Sequence, residues 1–167
     1  MGLIRGLVDM VVVLFSGVLA VAVPLLDSQV CLPGWLYPAP LVDLKRWYGD
    51  EYGDYLMSEK PHFFTGLVWL ELAFLWPLSL ANVYGILARR PWASTTSLMA
   101  GVSVATSMAA ILSELLGSGR ASDQLVQMYV PFVVFAFVAI LRGLLPRPKS
   151  QHTTTASHAT LARKKRA

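Results

Sequence analysis

The chain has 167 residues, 55% of them apolar, a mean hydropathy of +0.54 and a net charge of +4. That composition excludes an ordinary soluble domain and indicates the membrane class, at a length suited to one compact bundle. The positive charge gathers in the C-terminal tail and no folded segment interleaves basic with aromatic residues, so no nucleic-acid partner is expected.

Residues 6–26 form the first apolar run. Arg5, the apolar stretch and the small residues Ala20 and Ala22 have the look of a secretory signal. The run is longer than the usual signal core, and Asp9 sits inside it, so a retained membrane helix ending at Pro24 and Asp27 is the preferred reading. Residues 28–61 follow as a polar connector rich in Trp and Tyr, residues that favour the membrane–water interface because the ring is apolar and its edge polar. Within it Leu41, Leu44, Tyr48, Glu51, Tyr52 and Tyr55 fall at helical spacing, which predicts an amphipathic helix on the membrane surface, either a solvated connector with interfacial anchors or a lid over a lipid-facing cavity.

The second apolar helix, about 62–88, carries Glu71 and Pro77 near its middle. A third, about 92–116, is rich in small and hydroxyl residues: Gly101, Ala105 and Ala109 repeat every four positions, a pattern for close helix packing, and Ser103, Thr106, Ala110 and Ser113 form a mildly polar stripe. A short turn leads to the fourth, about 124–145, with Tyr129-Val130-Pro131 inside it. Residues 146–167 read as a disordered basic tail with little to bury. The expected fold is therefore all-α, a polytopic bundle of four transmembrane helices in one domain over 1–145. Pro24, Pro77 and Pro131 each remove a backbone hydrogen bond and tend to kink their helices, which suggests a bundle splayed around a lipid-accessible pocket.

Four spans put both ends on one side. Counting the tail, that side carries ten Lys/Arg and the other four, which predicts cytosolic termini and a lumenal or external connector. Lys164 and Lys165, fourth and third from the C-terminus, resemble the dilysine retrieval signal of endoplasmic-reticulum membrane proteins.

A carboxylate near mid-membrane costs about 2.5–3.5 kcal/mol on insertion scales, so Glu71 is a functional candidate by default. Glu71, Leu75, Leu78 and Asn82 share a face at helical spacing, so that face should point inward. Asp27, at the end of the first helix, is the best candidate neighbour, and two carboxyls that meet there would share a proton. Such a pair, with Tyr129 or Trp69 beside it, suits a cationic amine or a sterol hydroxyl; the alternative is a structural hydrogen bond between helices. No P-loop, GxSxG or HExxH occurs, and the single Cys31 lacks any metal-site spacing, so no cofactor and no metal are expected. His62 sits at a helix entrance, and His152 and His158 lie in the tail.

The segments Leu26-Asp27-Ser28-Gln29-Val30-Cys31-Leu32-Pro33, Leu36-Tyr37-Pro38, Trp47-Tyr48, Glu51-Tyr52-Gly53-Asp54, Glu71-Leu72-Ala73-Phe74, Pro77 and Tyr129-Val130-Pro131 keep a common spacing across residues 1–145. Together they resemble the sigma-2 receptor branch of the EXPERA family, to which the emopamil-binding sterol isomerase also belongs. The resemblance implies a four-helix endoplasmic-reticulum protein, a homodimer, whose pocket binds sterols or oxysterols and cationic amphiphiles among membrane lipids. It implies that Asp27 pairs with the ligand's amine, that Glu71 is its hydrogen-bonded carboxyl neighbour, that Asp54 is a loop acid needed for the binding fold and that Tyr129 is a pocket tyrosine. Two departures stand out: Leu75 replaces a family glutamine, and Val23 stands where the isomerase has a histidine. Moving a sterol double bond needs both an acid and a base. The expected role is therefore non-catalytic sterol or lipid binding that regulates an intracellular cholesterol transporter, with sterol isomerisation as the runner-up and a purely structural adaptor third.

Overall fold

The four apolar runs fold as four helices long and apolar enough to cross a membrane: Leu3–Val30, His62–Leu87, Ala93–Gly117 and Asp123–Leu144. A computed structural model describes residues 2–145, and among these every regular element is helical. The tail 146–167, with Lys164 and Lys165, lies outside the described residues. Among the described residues each side of the bundle carries four Lys/Arg: Arg5, Arg89, Arg90 and Arg142 on one, Lys45, Arg46, Lys60 and Arg120 on the other. The charge asymmetry thus resides in the tail.

The first span packs as a full member of the bundle, against the second and fourth. Its exposed face carries Leu7, Met10, Leu14, Val18 and Val21, while Val12, Ser16, Leu19 and Val23 are buried, a helical alternation that gives one side to lipid and one to protein. Asp9 is paired: the Arg142 Nε–H donates to its Oδ1 at 2.7 Å, and the same guanidinium donates to Ala93 O and Ser97 Oγ. Ser97 in turn donates to Asn82 Oδ1, as does Thr96. One polar cluster therefore ties all four spans together at the end away from the connector.

The prolines act differently from three equal kinks. Pro24 lies in the last turn of the helix Gly2–Leu25, so it ends that helix. Pro77 follows a π-helical turn, Glu71–Leu75, in which the Trp76 N–H reaches back five residues to Glu71 O. Pro131 lies inside a helix that runs on from Asp123 to Leu144. The wide turn also corrects the expected face on the second span. An extra residue in that turn breaks the even helical spacing from Glu71 to Asn82. Both residues still point inward, but to different places: Asn82 to the third span and Glu71 to the cavity described below.

The connector is two helices where one was expected. Ala39–Tyr52 ends at Gly53, whose φ of +63° is left-handed, a conformation glycine adopts without steric penalty. Asp54 then caps a short helix, Tyr55–Glu59, accepting from the amides of Leu56 (3.1 Å) and Met57 (3.3 Å). Tyr55 consequently leaves the surface face and is buried, its hydroxyl meeting Glu114 Oε1 and Ser118 Oγ of the third span's end. Arg120 pairs with Glu59 and stacks over the Tyr55 ring, pinning the 118–122 turn to the connector.

The third and fourth spans form the most extensive helix pair. A Cβ at Gly101 would lie 2.8 Å from both Ala136 O and Ile140 N, so glycine permits that approach. The expected Gly101–Ala105–Ala109 ridge does not continue, because a spacing of four drifts around the helix. Ala109 is exposed, and the buried line passes through Val104, Met108, Ile111 and Leu115. Of the hydroxyl stripe only Ser103 is buried; Thr106 is exposed and donates to its own helix at Val102 O.

Candidate functional site

Where the first helix ends, the chain tightens into a turn, Asp27–Val30. Side chains fix that turn. Ser28 Oγ donates to Pro24 O and Gln29 Nε2 to Leu25 O, both at 2.7 Å, so carbonyls that a helix end leaves orphaned are satisfied locally. The Lys45 and Lys60 ammoniums both donate to Gln29 O, at 2.9 and 3.3 Å, bringing positive charge to a helix C-terminus. The turn presents Asp27 to an interior cavity.

That cavity measures about 320 Å³ and lies beneath the connector helix. Asp27, Asp54, Glu71 and Tyr129 all line it, so one space brings together the four residues singled out as ligand contacts. They come from the first span's end, the connector, the second span's π turn and the fourth span. Apolar and aromatic side chains make up most of the remaining wall: Leu19, Trp47, Phe64, Met108, Met128 and Phe132 among them. Asp27 and Glu71 face the same space.

Asp54 is the most embedded of the acids, 1% exposed. Besides its two capped amides it accepts from the Tyr129 hydroxyl at 2.9 Å. Burial pushes its carboxyl above the ordinary carboxylate range, and the hydrogen bonds from Tyr129, Met57 and Leu56 oppose that push. Asp54 therefore has a structural task, capping a helix and fixing Tyr129, as well as a place in the wall.

Other expectations are corrected. Trp69 does not line the cavity; it is half exposed on the lipid side, and the aromatic wall consists of Trp47, Tyr48, Phe64, Tyr129 and Phe132. Leu75 is buried in packing outside the cavity, and so is Val23. Lys45, among the described residues the one cation in the wall, looks in the sequence like a solvated charge of the connector. Its place in the heptad-like run Leu41, Leu44, Lys45, Tyr48 was the available signal, since it lies on the same helix face.

The cavity adjoins an apolar groove on the bundle's outer face. Val18, Ala22, Leu26 and Leu44 line both the cavity and an apolar groove on the outer face of the first span, between that span and the connector helix.

Fold and site together define a four-span, all-helical membrane protein with an acidic cavity walled mostly by apolar and aromatic side chains. The family model described as EXPERA (EXPanded EBP superfamily) matches residues 40–143, and the chain belongs to that family. It is 28% identical over 132 residues to sigma intracellular receptor 2 of Homo sapiens, a match covering 70% of this chain and 75% of that protein. It is likewise 28% identical over 141 residues to sigma intracellular receptor 2 of Xenopus tropicalis, covering 76% of this chain and 82% of that one. The family resemblance read from the sequence is thus borne out.

Proposed function

We propose that this chain is a sigma-2 receptor-like membrane protein that binds sterols and cationic amphiphiles in the acidic cavity, in the endoplasmic-reticulum membrane. It would regulate intracellular cholesterol handling through a sterol transporter, as a homodimer with both termini in the cytosol. The observation that carries this reading is the gathering of Asp27, Glu71, Asp54 and Tyr129 around one apolar cavity. A carboxylate in such a place favours a ligand that brings a cation or a hydroxyl to it. The cavity's volume lies at the lower end of the roughly 300–1,000 Å³ usual for small-molecule sites. A sterol-sized ligand would therefore place its polar end near Asp27 and extend its apolar body toward the groove bounded by Val18 and Leu44.

Sterol isomerisation is the second reading, favoured by Asp27 and Glu71 facing one space, where one could donate a proton and the other remove one. Among the described residues no histidine lines the cavity to share those roles. Incubating the purified protein with a Δ8-sterol and recovering the bound sterols for mass spectrometry separates the readings. Unchanged sterol that co-purifies and is lost in Asp27→Asn supports the receptor or carrier. Conversion to the Δ7 isomer would make the protein an enzyme, and recovery of no sterol would overturn both.

A further inference from the structure

Lys45 is in an unusual position for a surface-helix lysine. It is half-buried and belongs to two walls at once: the acidic cavity, and an open polar cleft on the connector side lined also by Arg46, Asp50, Tyr55, Ser58 and Lys60. Its ammonium donates to Gln29 O, two residues from Asp27 along the same turn. Among the described residues it is the only cation in the cavity wall, which also holds the carboxyls of Asp27, Asp54 and Glu71.

We infer that Lys45 is a specificity-determining residue of this cavity: a resident cation that shares the field of Asp27, weakens the binding of amine-bearing ligands and tilts the site toward neutral sterols. The inference rests on the proposed function of the cavity and extends it. Like charges that share a partly buried site repel, so a resident cation in the wall that holds Asp27 competes directly with an incoming one. The Asp27 charge favours the charged form of Lys45. Burial first, and the Lys60 charge second, hold the Lys45 amine below the ordinary lysine range. A ligand cation would add to that repulsion. Lys60 cannot play the same part, because it is exposed and lines only the open cleft.

The geometry also makes the test clean. Removing the Lys45 ammonium does not orphan Gln29 O, because Lys60 still donates to it. The probes are cholesterol and an aminosterol, cholesterol with its hydroxyl replaced by a dimethylamino group, measured on the full chain in nanodiscs. Lys45→Met should raise aminosterol affinity about tenfold, the order expected for one unit charge at this depth, and leave cholesterol affinity within about twofold. Lys45→Arg, which keeps the charge, should stay within about twofold of the parent for both probes. Lys45→Gln serves as the neutral variant if the methionine variant folds poorly. Equal aminosterol affinity in the parent, the neutral variant and the arginine variant, with Asp27→Asn still abolishing binding, would overturn the role of Lys45 and leave the site intact. Aminosterol binding that ignores Asp27 as well would overturn the site itself.

Discussion

The indole N–H of Trp76 donates to the carbonyl of Ala20, 3.0 Å away across the first and second spans. Pro24, four residues after Ala20, has no N–H to give that carbonyl. In lipid no water replaces the missing donor, so another part of the protein must. Trp76 does so, and it stands at the end of the π turn that carries Glu71. One bond thus joins the termination of the first span, where Asp27 emerges, to the segment that holds the second acid.

Trp76→Phe should therefore cost about 1–3 kcal/mol, the usual penalty for leaving a buried polar group without its partner. A thermal-unfolding scan in detergent checks this, and Trp76→Phe should also weaken ligand binding by loosening the distance between Asp27 and Glu71. A variant as stable as the parent would mean that the Ala20 carbonyl finds another donor.

Asp54 and Tyr129 form a second cross-link, between the connector and the fourth span. Asp54→Ala loses the helix cap, about 0.5–2 kcal/mol, and leaves the Tyr129 hydroxyl without an acceptor. Asp54→Asn keeps much of the capping geometry and should cost less. A double-mutant cycle of Asp54→Ala with Tyr129→Phe should show a coupling of about 1.5–3 kcal/mol, the range for hydrogen bonds to a charged group. Additive effects would place the two residues in independent roles.

At the opposite end, Arg142 is nearly buried and satisfies Asp9, Ala93 and Ser97 at once. Arg142→Met leaves Asp9, whose side chain is 45% exposed, without its partner and takes the Arg142 donor from Ala93 O and Ser97 Oγ, and should destabilise by about 1–3 kcal/mol. Asp9→Asn combined with Arg142→Met should recover part of that loss in the same unfolding assay. Ligand affinity in the folded fraction should stay unchanged, since this cluster lies away from the cavity.

Gly101 gives a packing test. Gly101→Val would drive a side chain into Ala136 O and Ile140 N, atoms of a helix backbone that cannot swing aside. The third and fourth spans must separate, at a cost of about 1–3 kcal/mol or more. Gly17, whose added Cβ would meet nothing within 4 Å, is the control: Gly17→Ala should be neutral or slightly stabilising.

The fold was legible because its signal is coarse. Length and apolarity alone set the four spans, and each predicted boundary lies within a few residues of the observed one except at the first span's ends. The finer features escaped because they depend on neighbours that are distant in sequence. Gly53 and Asp54 look like one more turn of an amphipathic helix until the left-handed glycine and the capping carboxylate redirect the chain. The π turn at Glu71–Leu75 leaves no periodic mark, so the even spacing drawn through it was wrong in detail. At the site, Asp27, Glu71 and Tyr129 stood out through the cost of polar groups in or near the membrane and through family resemblance; Asp54 came from resemblance alone. Lys45 escaped because a lysine on a connector reads as solvated, and only its half-buried place in the cavity wall shows otherwise.

The central claim is that Asp27 is the anionic anchor of a ligand site in this cavity. Equilibrium binding of the dimethylamino sterol to the full chain in nanodiscs, comparing the parent with Asp27→Asn, tests it most directly. The exchange keeps the side chain's size and removes its charge, so affinity should fall about a hundredfold or more while the unfolding temperature holds or rises. Undiminished affinity in a folded Asp27→Asn variant would contradict the account.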